Sequence, residues 1–340
     1  YKQIAGDPVA FDTTTGERIS SGDGAAAVFV LTDGAYFCML AESDGEAALF
    51  DAPEGNFVSS TTRFPTSTWL SEAIEAILSH DTKLKYIVYS HAHWDHIGAA
   101  GLVYDHFAQR DGSPPTIIAS KRTRQKLSSK DKRDPNTVFG NSRGIVIPDK
   151  LEGRDYKYLA VGGLTFEIDK IHAHQAGDLV VHLDKGDSGN AAQGIASSIL
   201  MVVDTVFPGW IPFYLLALTQ DVGGYYDALE EINGYDFDVF VGGHLSRLGT
   251  KEDIQVKIDF YADVLAGAEA AVAAVSATDI VSGTGVFEAG NPNFGNSWLL
   301  FNELFTRQTD VCEAYVLDSS SRGRDWLTEL GGVETTLRSQ

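Results

Sequence analysis

The chain has 340 residues, of which 44% are hydrophobic and 21% charged, so it can bury the core of one large domain. Its 47 acidic and 26 basic residues give a formal net charge of −21, which would repel a phosphate backbone. No apolar run reaches the roughly 20 residues of a membrane span. We therefore expect neither a nucleic-acid partner nor a membrane span.

Strands and helices alternate in the first half, after a polar, Gly/Ser/Thr-rich arm predicted over residues 1–24. The strands are predicted at 25–31, 35–41, 47–50, 85–89 and 116–119, and the helices at 69–79, 97–107 and 121–127. A polar loop is predicted over 128–143. The basic cluster that starts at Lys121 and continues to Arg133 is interpreted as a solvated helix and loop.

The second half is predicted to repeat this mixture of strands and outer helices. Its strands are predicted at 156–161, 164–171, 179–183, 198–203 and 239–241, and its helical segments at 224–232, 252–275, 296–316 and 325–330. No linker rich in proline or charge divides the chain. We therefore predict one domain over 25–275 and a C-terminal helical extension, 276–340, packed on that same domain.

Three of the nine histidines fall in one six-residue window, His91-Ala92-His93-Trp94-Asp95-His96, directly after a predicted buried strand. On extended backbone His91 and His93 face the same way, and Asp95 and His96 follow as the chain turns into a helix. Four potential metal ligands in six positions are hard to explain as isolated core or surface residues. The window therefore predicts a metal site.

The hexad resembles the His-x-His-x-Asp-His signature of the metallo-β-lactamase superfamily, and further motifs follow in the order of that family. They are Asp51 after a strand, His174-Gln175-Ala176-Gly177-Asp178, Asp204 at a strand end, and Gly243-His244 at another. The resemblance covers residues 25–260 approximately. It implies an α+β fold of the αββα type, a four-layer sandwich with two mixed β-sheets face to face and helices outside.

The resemblance also implies two metal sites that share one bridging carboxylate. One site would use His91, His93 and His174, the other Asp95, His96 and His244, with Asp204 between them and Asp51 bracing the ligands. His172 lies two residues before His174 and is the alternative ligand. His174 is preferred as the ligand because Gly-Asp follows it at the family's spacing. Imidazoles with carboxylates suit Zn²⁺, two per chain, although Fe or Mn is also compatible with these ligands.

The function implied by the resemblance is that of a zinc-dependent hydrolase in which a metal-bridging hydroxide opens a carbonyl ester bond. Asp95 and Asp204 would be the catalytic residues, and a lactone is the preferred substrate because the all-His/Asp set resembles the lactonase branch. The alternatives are hydrolysis of a β-lactam or other cyclic amide, or of a thioester. A more distant alternative is a metal-binding scaffold without catalysis.

The aromatic segment after Asp204 is a candidate wall for a small-molecule substrate that has an apolar part. We predict this pocket from Phe207, Trp210 and Phe213, with Trp94 from the hexad; the alternative is a hydrophobic loop packed under the C-terminal helices. The aromatic residues Trp298, Phe301 and Phe305 of the tail have helical spacing, which favours packing on the core; docking on a second chain, in a homo-oligomer, is the alternative.

Two observations bear on the cellular compartment. The chain starts at Tyr1 without methionine and is strongly acidic, which favours a secreted or periplasmic location. Cys38 and Cys312 are either two free thiols or one long-range disulfide, and the sequence leaves both alternatives open.

Overall fold

The computed structural model describes residues 1–6, 10–11, 18–20, 26–53, 69–128, 145–151, 157–245, 247–318 and 323–340. Nearly all of the loop predicted over 128–143 lies outside the described residues, together with the basic residues from Lys130 to Arg133. Among the helices that are described, none combines the length and the hydropathy that a membrane crossing requires. Both cysteines are free thiols, the first of the two interpretations given above.

The strands of the described residues form two large mixed sheets and a small hairpin. They are β1 (Lys2–Gly6), β2 (Ala10–Phe11), β3 (Arg18–Ser20), β4 (Ala27–Thr32), β5 (Phe37–Ser43), β6 (Glu46–Phe50), β7 (Lys83–Val88), β8 (Thr116–Ala119), β9 (Lys150–Leu151), β10 (Tyr158–Val161), β11 (Leu164–His172), β12 (Ala176–Leu183), β13 (Ile199–Val202) and β14 (Val239–Val241). The first sheet has the order β1-β4-β5-β6-β7-β8-β9, and the second has the order β10-β11-β12-β13-β14.

Strand direction changes within each sheet. In the first sheet, β1, β4, β5 and β6 pair antiparallel and β6 to β9 pair parallel. In the second, β10 to β13 are antiparallel and β14 joins β13 in parallel. Since neighbouring parallel strands end at the same edge, β6, β7 and β8 finish together, and so do β13 and β14.

The two sheets pack face to face around one apolar core. In β4 the side chains of Val28 and Val30 belong to this inner core, whereas Phe29 points to the other face of the same strand. Strands that are buried on both faces read as continuous apolar runs, which explains the sequence of β4 to β6. From the second sheet, Phe166 enters the inner core and its ring lies 4.9 Å from that of Phe50.

Helices cover the outer faces of both sheets, which gives the four-layer αββα arrangement. The helices of this part of the chain are α1 (Trp69–Ile77), α2 (Trp94–Ile97), α3 (Ala100–Asp111), α4 (Lys121–Leu127), α5 (Ser188–Ala192) and α6 (Val222–Gly234). Helices α1 and α3 pack on the first sheet, and α6 contacts β11 of the second. The predicted fold class is therefore confirmed.

The contacts divide the chain into two compact units, Tyr1–Pro208 with Thr219–Ile254, and Gly209–Leu218 with Gln255–Gln340. Both large sheets lie in the first unit. The second contains most of α7 (Lys251–Ala274), then α8 (Ala277–Thr284), α9 (Ser297–Leu317), α10 (Trp326–Glu329), α11 (Val333–Thr336), a final 3₁₀ turn (Leu337–Ser339) and a left-handed turn at Tyr214–Leu218. The predicted domain boundaries, 1–24, 25–275 and 276–340, stay predictions.

The second unit has a small aromatic core of its own. The Trp326 side chain is buried, its indole N–H donates to Asp263 Oδ2 at 2.9 Å, and its ring lies 5.4 Å from that of Phe260. By contrast, the aromatic side chains of Trp298, Phe301 and Phe305 on α9 are exposed.

The N-terminal residues differ from the sequence-based expectation of an irregular lead-in. Lys2–Gly6 forms β1, which pairs antiparallel with β4 and extends the first sheet by one strand. The segment Lys-Gln-Ile-Ala-Gly has no clear alternation of polar and apolar residues, so its pairing is set by the edge of β4 that is open to it.

We expect Phe166→Ala to lower the free energy of unfolding of the first unit by about 3–5 kcal/mol, because the side chain is fully buried between the two sheets. Urea denaturation of the purified chain measures this change. Tyr158→Ala is the matched control: Tyr158 lies on the neighbouring strand with 60% of its surface exposed, and its loss should change stability by no more than about 0.5 kcal/mol. Equal effects of the two substitutions would contradict the described core.

Candidate metal centre

The predicted ligands meet at one edge of the sandwich. Asp51 follows β6, and the segment from His91 to His96 follows β7, so both leave the first sheet at the edge where its parallel strands end. In the second sheet Asp204 follows β13 and His244 follows β14, also at a shared edge. The backbone joins the two edges directly, because Leu179 N–H donates to the carbonyl of Ser90 at 2.9 Å.

Three imidazoles and a carboxylate form the first group of possible metal ligands. The ligand atoms of His91, His93, His174 and Asp204 all lie within 4.8 Å of one another. His174 Nε2 is 2.9 Å from His93 Nδ1 and 3.5 Å from Asp204 Oδ2. His91 Nε2 is 3.4 Å from the same carboxylate oxygen and is buried without a hydrogen bond of good geometry.

Asp95, His96 and His244 form the second group, again with their ligand atoms within 4.8 Å. His96 Nε2 lies 3.0 Å from His244 Nε2, and Asp95 Oδ2 lies 3.6 Å and 3.7 Å from those two nitrogens. Asp204 Oδ1 faces this group, at 3.1 Å from His96 Nε2 and 2.9 Å from His244 Nε2. One carboxylate therefore presents a different oxygen to each group.

The donor set fits divalent transition metals. Two imidazole nitrogens that face each other at 3.0 Å, as those of His96 and His244 do, are natural partners of a cation placed between them. Neutral imidazole nitrogen and carboxylate oxygen are the ligand types that zinc and its neighbours accept. The seven residues could thus hold two ions, with Asp204 able to contact both.

Burial and the enclosed carboxylate set the protonation of the cluster. Burial lowers the pKa of His91 to about 3 and also lowers that of His174, so both rings are neutral and able to ligate. Burial opposes charge on His96 as well, but the carboxylates of Asp204 and Asp95 raise its pKa to about 10. A bound divalent cation would take the place of that proton.

The same balance acts on Asp204. Burial alone would favour its protonated form, yet His96 and His244 hold the pKa of this carboxyl well below its usual range. The charged carboxylate is therefore retained at the centre of the cluster.

Asp51 supports the cluster from beside it. Its Oδ1 accepts a hydrogen bond from the Ser90 N–H at 2.7 Å, and its Oδ2 lies 3.8 Å from His96 Nδ1, the ring nitrogen that points away from the other ligands. Ser90 Oγ lies 2.9 Å from Nδ1 of His91. A hydrogen-bond partner such as Ser90 fixes the orientation and tautomer of a ligating imidazole, whereas Asp51 acts on His96 through its charge.

Two carboxylates of the cluster lie on strained backbone. Asp51 and Asp204 both have a φ of 63°, in the left-handed region that residues with a Cβ rarely adopt. The Asp204 N–H donates to the carbonyl of Gly242 at 3.2 Å, which ties the turn after β13 to the turn after β14. Such strain persists only where surrounding contacts over-determine the conformation, and it is common at functional sites.

Two residues that sequence reasoning did not single out also contact the ligands. The Gln175 side-chain amide hydrogen-bonds His93 Nε2, and its Oε1 accepts from Lys126 Nζ at 2.6 Å. The Tyr36 ring lies 4.8 Å from the His244 ring, beside the bridge that pairs these two residues. Gln175 adjoins a predicted ligand and could have been suspected, whereas Tyr36 is far from His244 along the chain.

The four residues of the predicted substrate pocket differ in burial. Trp94 and Phe207 are buried, and the Phe207 ring lies 5.6 Å from that of His244. Trp210 and Phe213 belong to the second unit and are partly exposed. The predicted substrate pocket of these four residues stays a prediction. His172, the alternative to His174, is exposed and lies outside both groups.

A family model described as "Metallo-beta-lactamase superfamily" matches residues 31–188, just under half of the chain. A search of curated proteins gives no match. Among solved structures, a metallo-beta-lactamase family protein from Thermus thermophilus is 16% identical, with a TM-score of 0.47 and coverage of 87% of this chain and 94% of that one.

Two further structures are similar at the same level. An archaeal metallo-beta-lactamase superfamily protein from Sulfolobus tokodaii is 15% identical, with a TM-score of 0.47 and coverage of 68% of this chain and 84% of that one. The BLEG-1 B3 metallo-beta-lactamase is 21% identical, with a TM-score of 0.43 and coverage of 67% and 90%.

We expect Gly243→Ala to destabilise the centre without removing a ligand. Gly243 has a φ of +85°, and a Cβ there would lie 2.5 Å from Val203 Cγ1 and 3.2 Å from His96 Cε1. The left-handed backbone alone costs an alanine about 1–2 kcal/mol, and the clash adds to that. Thermal unfolding and metal retention on gel filtration measure the two effects.

Gly234→Ala is the control, since no heavy atom lies within 4 Å of its added methyl group. It should leave stability unchanged or raise it slightly and should not alter metal retention. Retention that is unchanged in Gly243→Ala as well would contradict the described packing of this turn against His96.

Proposed function

We propose that this chain, whose residues 31–188 match the family model of the metallo-β-lactamase superfamily, is a metal-dependent hydrolase of that superfamily with two divalent ions, zinc in the first instance. The observation that carries the proposal is the position of Asp204. Its two oxygens face two different groups of ligands, at 2.9–3.5 Å from the nearest ring nitrogens of His244, His96, His91 and His174. A carboxylate so placed suits a pair of ions better than one.

Bound at these residues, two ions would supply Lewis acidity toward a carbonyl oxygen and a deprotonated water at neutral pH. The chain supplies the geometry for that chemistry. Asp204 keeps its negative charge although it is buried, Ser90 Oγ lies within hydrogen-bond distance of the His91 ring, and the Asp51 carboxyl lies 3.8 Å from the His96 ring. Because no serine or cysteine is needed as nucleophile, the hydrolysis proceeds without a covalent intermediate on a side chain.

Asp95 is the ligand best suited to move a proton. It is the least enclosed member of the second group, with 30% of its side chain exposed, and its Oδ2 lies 3.6–3.7 Å from the ring nitrogens of His96 and His244. A carboxylate at the open side of the cluster can orient the attacking water and accept its proton. We assign this role to Asp95, and the structural role at the centre to Asp204.

The favoured reaction is opening of a carbonyl ester bond, and a lactone is the first candidate substrate. The support is the set of ligands, in which five histidines are joined only by aspartates and no cysteine takes part. A β-lactam or another cyclic amide is the second candidate, followed by a thioester. Oligomerisation and a secreted or periplasmic location stay predictions.

A non-catalytic metal-binding scaffold is the alternative from another functional class. The intact set of seven ligands, with its supporting hydrogen bonds, favours an enzyme, because a scaffold has no need of an open, proton-accepting Asp95. Metal binding without hydrolysis of any lactone, β-lactam, thioester or phosphodiester would favour the scaffold.

We expect His93→Ala and Asp204→Ala each to lower kcat/KM on the best substrate of such a panel by about a thousandfold or more, since polarisation by metal contributes several kcal/mol. A chelator should abolish the wild-type activity, and added Zn²⁺ should restore it. His80→Ala is the control, because the His80 side chain is fully exposed and outside the cluster. Activity retained in either ligand variant would refute the proposed centre.

A further inference from the structure

A basic groove is present in the first unit, at the edge of the sheets that also carries the candidate metal ligands. It encloses about 470 Å³ and is lined by Lys121, Arg122 and Gln125 of α4, by Lys170 and His172 of β11, and by Gly177 of β12. Three of these six residues carry a permanent positive charge, and none is acidic. The volume is within the range of about 300–1,000 Å³ that is usual for small-molecule sites.

The charge of the groove contrasts with the rest of the chain. The net charge is −21, so three cationic side chains around one groove stand out against the charge of the whole chain. Within the part of the chain that the structure describes, neither Lys121 nor Arg122 forms an ion pair with a carboxylate, and α4 contains no acidic residue. The nearest carboxylates along the strand and its covering helix, Asp169 and Glu231, do not line the groove.

The topology places the groove at the edge that carries the metal ligands. Helix α4 begins directly after β8, which ends at the same edge as β7 and the hexad. His172 ends β11 two residues before the ligand His174, and Gly177 follows that ligand by three. The groove and the centre therefore share the loop that joins β11 to β12.

Helix α4 is held against this loop by close contacts. A Cβ at Gly177, where φ is +101°, would lie 2.6 Å from both Arg122 Cβ and Ser120 Oγ, so only glycine permits this approach. From the same helix, Lys126 bonds Gln175, whose amide contacts the ligand His93. One side of α4 thus supports the centre while Lys121, Arg122 and Gln125 line the groove.

We propose that this groove binds the anionic end of the substrate, a carboxylate or a phosphate, while the hydrolysed bond lies at the metal centre. Arg122 offers a planar pair of donors that suits either anion, and Lys121 and Lys170 add charge from two sides. This inference rests on the proposed hydrolase function and narrows its substrate class. The preferred substrate is therefore an ester or lactone with an acidic group as well as an apolar part.

A small anion suits the groove better than a nucleic acid does. The chain as a whole carries a net charge of −21, which would repel a polymeric phosphate backbone, whereas a small anion needs only the few cations that line the groove. Tight binding of a single-stranded oligonucleotide with no binding of small anions would overturn the proposal.

Substrates that differ only in charge test the proposal in the metal-loaded chain. The comparison uses three esters with the same reacting group and chain length, ending in a methyl, a carboxylate or a phosphate group. We expect kcat/KM for one or both acidic esters to exceed that of the neutral one by about tenfold or more. In Arg122→Gln/Lys170→Gln, KM for the acidic ester should rise about tenfold while kcat and the kinetics of the neutral ester change little.

Lys83→Gln is the matched control, because Lys83 is an exposed lysine at the opposite end of β7. It should leave the kinetics of all three esters unchanged. Equal changes for acidic and neutral esters in the double variant, or no change for either, would overturn the role of the groove even though the chain is a hydrolase.

Direct binding separates failure of the groove from failure of the proposed function. Inorganic phosphate and succinate are titrated calorimetrically into His93→Ala, in which the metal centre is disrupted. Saturable binding that is lost on adding Arg122→Gln/Lys170→Gln supports the groove, whether or not any ester is hydrolysed. If neither anion binds and kcat/KM is the same for the acidic and the neutral esters, the proposed role of the groove is overturned.

Discussion

The structure depends on a buried negative charge at the place where two sheets end. Asp204 is nearly inaccessible to solvent, yet it stays ionised because ring nitrogens of four histidines lie within 3.5 Å of its two oxygens. To reach it, β7, β13 and β14 must finish at one edge, and the chain must adopt left-handed backbone at Asp51 and Asp204. Those strained turns are stable only because the sandwich core fixes the strands that lead into them.

Chemistry and recognition follow from that edge. The same loop, from His172 to Gly177, supplies one metal ligand and one wall of the basic groove, so a substrate held by its anionic end would lie next to the centre. Gln175 links the two, since it contacts His93 on one side and Lys126 on the other. In a hydrolase with this arrangement, the positive charge of the groove would orient the substrate, and the bound metal ions would supply the chemistry of the reaction.

Local patterns predicted most of the fold, because the core strands are continuous apolar runs, and they indicated the hexad as a metal site; the family resemblance added His174, Asp204 and His244 as predicted ligands. The fold class is confirmed, and the structure brings all seven predicted ligands into the two groups. The features that the sequence did not predict depend on pairing between residues far apart in the chain. Strand β1 forms because one edge of β4 is open to it, and Tyr36 pairs with His244 only in the folded chain. The sequence predicts a solvated helix for the basic residues at 121–126, and it could not show that Lys170 and His172 of a distant strand line the same groove.

The central claim is that one carboxylate and two sets of ligands hold a pair of ions. Metal stoichiometry, measured by native mass spectrometry on the purified chain after dialysis with Zn²⁺, tests it most directly. We expect two ions per chain in the wild type, and in His244→Ala one ion, because the group of His91, His93 and His174 stays complete. A single ion in the wild type, or none, would contradict the dinuclear centre.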